Sequence, residues 1–201
     1  MIKLYGRGQS RSFRALWALE EAGLDYEYVE VTQDIIDSAD YRALNPQGKI
    51  PTLCDGPLVL TESAAIVNYV ASQSERDLLP SAGALRAQYD DLCYFILTDF
   101  EQPLWTMGKH RFALPEEQRV EAVLKTALWE FEKSQAVLCA RLGSREFAIG
   151  DRFSMADVLV AQTLGWAQRF EMVVAPELSA YKDRHYARPA CVSSLERVAP
   201  A

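Results

Sequence analysis

Three short stretches in the first third of the chain carry residue types able to bind and orient a small polar molecule. Thr61-Glu62-Ser63 precedes a run in which Ala65, Ile66, Tyr69 and Val70 fall on one helical face. A helix start leaves N–H groups unpaired and carries partial positive charge, so it favours a carboxylate, and a serine hydroxyl there adds a donor. The neighbouring Glu62 can meet an ammonium, so this one motif offers both halves of an amino-acid zwitterion. The second stretch, Asn45 to Leu53, reads NPQGKIPTL. Pro46 and Gly48 mark an irregular approach, Ile50 is held extended by Pro51, and Thr52-Leu53 opens an apolar run. At a strand start, an Ile50–Pro51 bond can turn the backbone of Ile50 toward a ligand, and a cis bond does this best. The third stretch, Arg7 to Ser12, is a polar turn that sets the Ser10 and Ser12 hydroxyls at the first turn of a helix. Each also has an ordinary use: a proline can simply open a strand, and Ser10, Ser12, Thr61 or Ser63 can simply cap a helix.

The elements that position these stretches follow from patterning. Ile2 to Tyr5 is a short strand and Gly6 to Gln9 a turn. Phe13, Leu16, Trp17 and Leu19 then follow at helical spacing, with Glu20-Glu21 on the wet side and Gly23 as the stop. Tyr26 to Val31 alternates as a second strand, which makes the opening a βαβ unit with parallel strands. Asp34 to Tyr41 reads as an irregular helix. PTLC and LVLT are antiparallel strands joined at Asp55-Gly56-Pro57, and Ser63 to Ala71 is a helix. The order β-α-β-α-β-β-α is a thioredoxin-like layout.

Pro80 and Gly83 break the pattern within the stretch RDLLPSAG. The division expected is an α/β domain over 1–75, a linker over 76–83 and an all-α domain over 84–201. Leu85 to Trp105 is helical apart from Pro103, a long helix is expected from Pro115 to about Leu142, and another begins at Ser154. Ser154-x-x-Asp157 ahead of an apolar helix is a capping box with Asp in place of the usual Glu.

On ALNPQGKIPTL and ESAAI together, the chain resembles the cytosolic glutathione transferase family, and the likeness runs along its whole length. The serine-type members, theta-, zeta- and nu-like bacterial ones among them, are the most similar. The resemblance implies glutathione as co-substrate. Pro51 and Ile50 would present backbone to its cysteinyl part, Glu62 and Ser63 would hold its γ-glutamyl end, and Lys49 would reach its glycyl carboxylate. A free thiol titrates near ~8.5, so the site must favour the thiolate. Aligning the first helix by Arg14 and Gly23 puts Ser10 nearest the family's catalytic serine, with Ser12 as runner-up and Gln9 and Arg11 as weaker candidates. Tyr5 matches the tyrosine of other classes only loosely, and core packing suits its strand position better. No cysteine occupies the turn, which removes the nucleophile for the mixed-disulfide chemistry of cysteine-bearing relatives. Conjugation, isomerisation and peroxide reduction remain open. Asp157 matches the family's carboxyl-domain folding motif.

Composition narrows the rest. A formal charge of −7 and the lack of a basic run argue against nucleic acid. No run approaches the ~20 apolar residues of a membrane span, and a cytoplasmic protein is expected. Cys54, Cys93, Cys139 and Cys191 are widely spaced, form no CxxC pair and lack a histidine cluster, so reduced thiols and no metal site are expected. The partners implied are glutathione, a hydrophobic electrophile and a second copy of the chain in a homodimer. Tyr94, Trp105, Met107, Phe112 and Trp166 are candidates to line an apolar second-substrate pocket. Two other functions fit the same motifs. One is a glutathione-dependent isomerase of the maleylacetoacetate type, from which Gln9-Ser10-Arg11 departs. The other is a non-catalytic glutathione-binding interaction module.

Overall fold

In the computed structural model, which describes residues 1–199, strand β1 (Ile2–Gly6) leads through a short turn into helix α1 (Ser12–Ala22). Gly23 ends α1 in the left-handed conformation, φ 67°, and its N–H returns to the Glu20 carbonyl. Strand β2 (Tyr26–Glu30) pairs parallel with β1, Ile2 lying opposite Tyr26, as the βαβ reading requires. The single irregular helix expected over Asp34 to Tyr41 is instead two, α2 (Gln33–Asp37) and α3 (Ala39–Leu44). Ser38 separates them: its backbone is extended, and its hydroxyl caps α3 by accepting from the Tyr41 N–H at 3.2 Å. Strands β3 (Thr52–Asp55) and β4 (Leu58–Leu60) form the expected hairpin, and the sheet order is β2-β1-β3-β4. Helix α4 (Ser63–Ser72) follows, completing a thioredoxin-like layout.

Helix α1 is the centre of this unit. Phe13, Leu16, Trp17 and Leu19 are all removed from water, and α1 packs on α4 and on the carboxyl-terminal helix α10 (Pro189–Arg197). Glu21, expected on the wet side, is buried instead. It accepts from Trp17 Nε1 at 3.0 Å and takes a two-pronged charge-assisted pair from Arg188 at 2.6 and 2.9 Å. That pair fixes α10 on α1, and residues Met1–Pro80 and Arg184–Ala201 group as one compact unit.

Residues Ser81–Asp183 form the second unit, which is helical: α5 (Ala84–Phe95), α6 (Gln102–Gly108), α7 (Val123–Leu142) and α8 (Met155–Arg169), with α9 (Pro176–Tyr186) running to its end. The helix expected from Leu85 to Trp105 widens into a π turn at Ile96–Phe100 before α6 begins with Pro103 in its first turn. Proline supplies no N–H and its ring crowds the carbonyl four residues back, which the wider turn accommodates. The helix expected from Pro115 also starts late. Only a 3₁₀ turn forms at Glu116–Gln118, because Arg119 is extended and donates to the Leu114 and Phe112 carbonyls at 2.9 and 3.1 Å. Phe100 stacks on Phe131 at 5.2 Å in the core of this unit, and α8 is buried along nearly its whole length. Residues 200 and 201, the last of the expected 84–201 domain, lie outside the described residues. No helix among the described residues is long and apolar enough to cross a membrane.

Candidate functional site

Strand register decides where the three chemical stretches meet. β1 runs toward Gly6, and its Tyr5 lies opposite Thr52, so β3 begins where β1 ends. β4 runs antiparallel to β3 with Leu60 opposite Leu53, so it ends there too. The turn after β1, the loop before β3 and the approach to α4 therefore all open at the same end of the sheet.

The loop before β3 is held by two residues that the sequence reading did not single out. Tyr41 Oη donates to the Lys49 carbonyl at 2.6 Å, and Asn45 Nδ2 donates to the same carbonyl at 2.8 Å. Both also reach Thr52 Oγ1, at 3.0 and 3.1 Å, on the far side of the proline. Between these clamps the Ile50–Pro51 bond is cis. Pro51 is buried, half-buried Ile50 packs on the Val31, Ile36 and Tyr41 cluster, and Lys49 is exposed. Gly48 has φ 61°, a left-handed conformation that favours glycine. Tyr5 stacks edge-on against Tyr41 at 5.6 Å, which accounts for it as a packing residue. The signal for Tyr41 and Asn45 lay in their spacing around the proline loop: buried polar side chains there must find partners.

At the start of α4 the N-cap residue is Glu62, extended at φ −91° and ψ 121°, and it makes no side-chain cap. Neither Ser63 nor Thr61 caps this helix, so the ordinary use of those hydroxyls is not the one adopted. Ser63 is buried and Glu62 exposed. Ser63 Oγ accepts from Arg14 Nη1 at 3.4 Å, and the Arg14 side chain is wholly out of water. A buried guanidinium beside a helix start strengthens the preference for an anion there. Arg14 entered the sequence reading only as an alignment landmark. Its signal was a charged residue inside the apolar run Phe13 to Trp17.

The third stretch is a hydrogen-bonded turn. Ser10 N–H closes on the Arg7 carbonyl at 3.4 Å, and Ser10 Oγ lies 2.6 Å from Ser12 Oγ. Ser12 is fully buried, whereas Ser10 is only partly covered. Helix α1, like α4, starts without a side-chain cap.

The chain's own sulfur is poorly suited to nucleophilic work. Burial pushes the Cys93 thiol up to about 12 and also raises Cys54 and Cys139, so these thiols stay protonated near neutral pH. All four cysteines are free. Among the described residues no group of three or more His, Cys, Asp or Glu is placed to hold a metal ion.

The second-substrate candidates divide. Phe112 and Trp166 both meet Phe170 edge-on, at 6.1 and 5.7 Å, with Arg111 over the same ring. Met107 is buried in the core, and Tyr94 is 65% exposed. Phe170, the ring that Phe112, Trp166 and Arg111 share, stood outside the sequence candidates because a lone aromatic after a helix has no periodicity to mark it.

Residues 1–72 match the family description "Glutathione S-transferase, N-terminal domain", and residues 101–189 match "Glutathione S-transferase, C-terminal domain". The chain is 33% identical over 170 residues to Glutathione S-transferase GstB of Escherichia coli, with 80% of each chain covered. It is 30% identical over 214 residues to Glutathione S-transferase Z2 of Arabidopsis thaliana, covering 99% of this chain and 92% of the other. Among solved structures, the theta class glutathione S-transferase of Xanthomonas axonopodis pv. citri, with glutathione bound, superposes with a TM-score of 0.81 at 35% identity over 96% of both chains.

Proposed function

The chain belongs to the glutathione S-transferase family and is a glutathione transferase, and we propose that Ser10, Lys49, Ile50, Pro51, Glu62 and Ser63 are the residues through which it works. The γ-glutamyl carboxylate sits at the start of α4 on the Ser63 hydroxyl, with the Arg14 charge behind it. The Glu62 carboxylate meets the γ-glutamyl ammonium. Backbone of Ile50, turned by Pro51, pairs with the cysteinyl unit, and Lys49 reaches the glycyl carboxylate. Ser10 donates its hydroxyl hydrogen to the sulfur. The thiol proton passes to solvent, the sulfur lone pair forms the bond to an electrophilic carbon, and the leaving group departs with its bonding pair.

Ser10 needs only modest stabilising power. A hydrogen bond to a charged group contributes about 1.5–3 kcal/mol, and each pKa unit of thiolate preference requires about 1.4. One such bond therefore lowers a thiol from ~8.5 into the neutral range. The observation that carries the reading is the strand register, which opens the three stretches at one end of one sheet.

The electrophile is a hydrophobic small molecule, and the working enzyme is a cytoplasmic homodimer. Its functional division follows the sequence: a glutathione-binding domain over 1–75, a linker over 76–83 and a helical domain over 84–201. Calorimetric titration of the folded protein with glutathione tests the assignment. Saturable uptake that weakens at least tenfold in Ser63→Ala and in Glu62→Gln is expected. No uptake by folded wild type refutes it.

A further inference from the structure

Ser12 cannot serve the thiol by direct contact, because its side chain is fully buried under Gly6. A Cβ at Gly6 would lie 2.7 Å from Ser12 Cβ and 2.8 Å from Ser12 Oγ. Yet its hydroxyl stands 2.6 Å from the Ser10 hydroxyl, in a contact where either oxygen can donate, and its surroundings favour Ser12 as the donor. A hydroxyl has one hydrogen to give and two lone pairs to fill. The Arg7 N–H donates to Ser12 Oγ at 3.0 Å, so Ser12 already accepts once from the backbone. Its own hydrogen has two acceptors nearby: Ser10 Oγ at 2.6 Å and the Arg7 carbonyl at 3.5 Å, the latter at the outer limit of a hydrogen bond. The short contact wins. Ser10 Oγ also accepts from the Ser12 N–H at 3.3 Å.

We infer that Ser12 is a positioning residue for the transferase reaction, donating through its buried hydroxyl to Ser10 so that the Ser10 hydrogen is not spent within the pair and is directed to the glutathione sulfur. The relay runs from the Arg7 N–H to Ser12 Oγ–H, then to Ser10 Oγ–H, then to the thiolate. Each donor polarises the next, so the last is a better donor than an isolated serine. Gly6 is part of the device, since only glycine admits Ser12 this close to β1. The inference rests on the assignment of Ser10 to the sulfur and adds the residue that sets its proton.

A double-mutant cycle tests it, with the pKa of glutathione's thiol in the binary complex, followed by thiolate absorbance, as the readout. Ser12→Ala should raise that pKa by about one unit, which is about tenfold less thiolate at a pH below it. The glutathione dissociation constant at low pH should change less than twofold. In the Ser10→Ala background the same substitution should move the pKa by no more than a few tenths of a unit. Ser12→Cys keeps the buried shape with a weaker donor, and should give a smaller shift in the same direction if the alanine variant does not fold. Equal shifts in both backgrounds, or none in either, overturn the relay. A Ser10→Ala variant with an unmoved thiol pKa overturns the Ser10 assignment itself.

Discussion

Helix α8 completes its own first turn, whereas α4 does not. At α8 the Asp157 carboxylate, wholly buried, accepts from Ser154 N–H at 2.8 Å and from Ala148 N–H at 2.8 Å, and also takes the Tyr181 hydroxyl. At α4 the N-cap Glu62 makes no side-chain cap, and the nearest buried polar partner of Ser63 is a cation, Arg14. Helices α2 and α3 behave like α8: Thr32 and Ser38 each accept from the backbone N–H three residues on. A carboxylate placed at a helix start stabilises the fold when the chain supplies it. At α4, where Glu62 leaves the cap unmade and Arg14 adds a positive charge, that place is proposed to take a ligand's carboxylate. Helices α2, α3 and α8 thus use the device for folding, whereas α4 is the helix start proposed for binding.

Exchange of roles should therefore never be seen in mutants. Asp157→Ala strands two buried N–H groups and a tyrosine hydroxyl, and should lower unfolding stability by at least about 3 kcal/mol, at 1–3 per orphaned group. Chemical denaturation reads that loss, while the folded fraction should bind glutathione with its affinity intact. Ser63→Ala should do the reverse: glutathione affinity falls about tenfold to a hundredfold, on the scale of a hydrogen bond to a charged group, and the midpoint hardly moves. If Ser63→Ala destabilised the protein as much as Asp157→Ala, the two helix starts would be doing the same job.

The architecture was legible because its signals are local. Alternation in Tyr26 to Val31, the Gly23 stop and the Asp55-Gly56-Pro57 turn each act over a few residues, and the chain obeys them. The residues proposed to face the ligand drew attention for a similar reason, since Pro51 and Ser63 stand at fixed positions in short motifs. What escaped the sequence depends on distant partners. Glu21 is buried only because Arg188, far along the chain, comes back to it, and Arg14 has meaning only once α4 lies beside α1. The late start of α7 likewise reflects Arg119 bonding back to carbonyls that no helical pattern foretells.

Smaller effects sharpen the contrast further. Tyr41→Phe removes one of two donors to the Lys49 carbonyl and should cost about 1 kcal/mol in stability, the usual net value of one hydrogen bond. Because that carbonyl adjoins the Ile50–Pro51 bond, glutathione affinity should fall severalfold as well, which titration of the variant would reveal. Replacement of Asn45 by alanine should act in the same direction. At the low end, Cys93 should resist alkylation in the native protein at pH 8. Burial raises its pKa to about 12, so the thiolate is scarce until the pH nears that value or the helical unit opens. Mass mapping after a brief pulse of iodoacetamide, with and without denaturant, checks this; ready native labelling would contradict it.

The most direct test is the thiol pKa of bound glutathione in wild type and in Ser10→Ala. The account predicts a wild-type value at least one unit below the ~8.5 of a free thiol, restored most of the way by the substitution. A bound thiol that titrates like the free tripeptide, or one indifferent to the loss of the Ser10 hydroxyl, would contradict it.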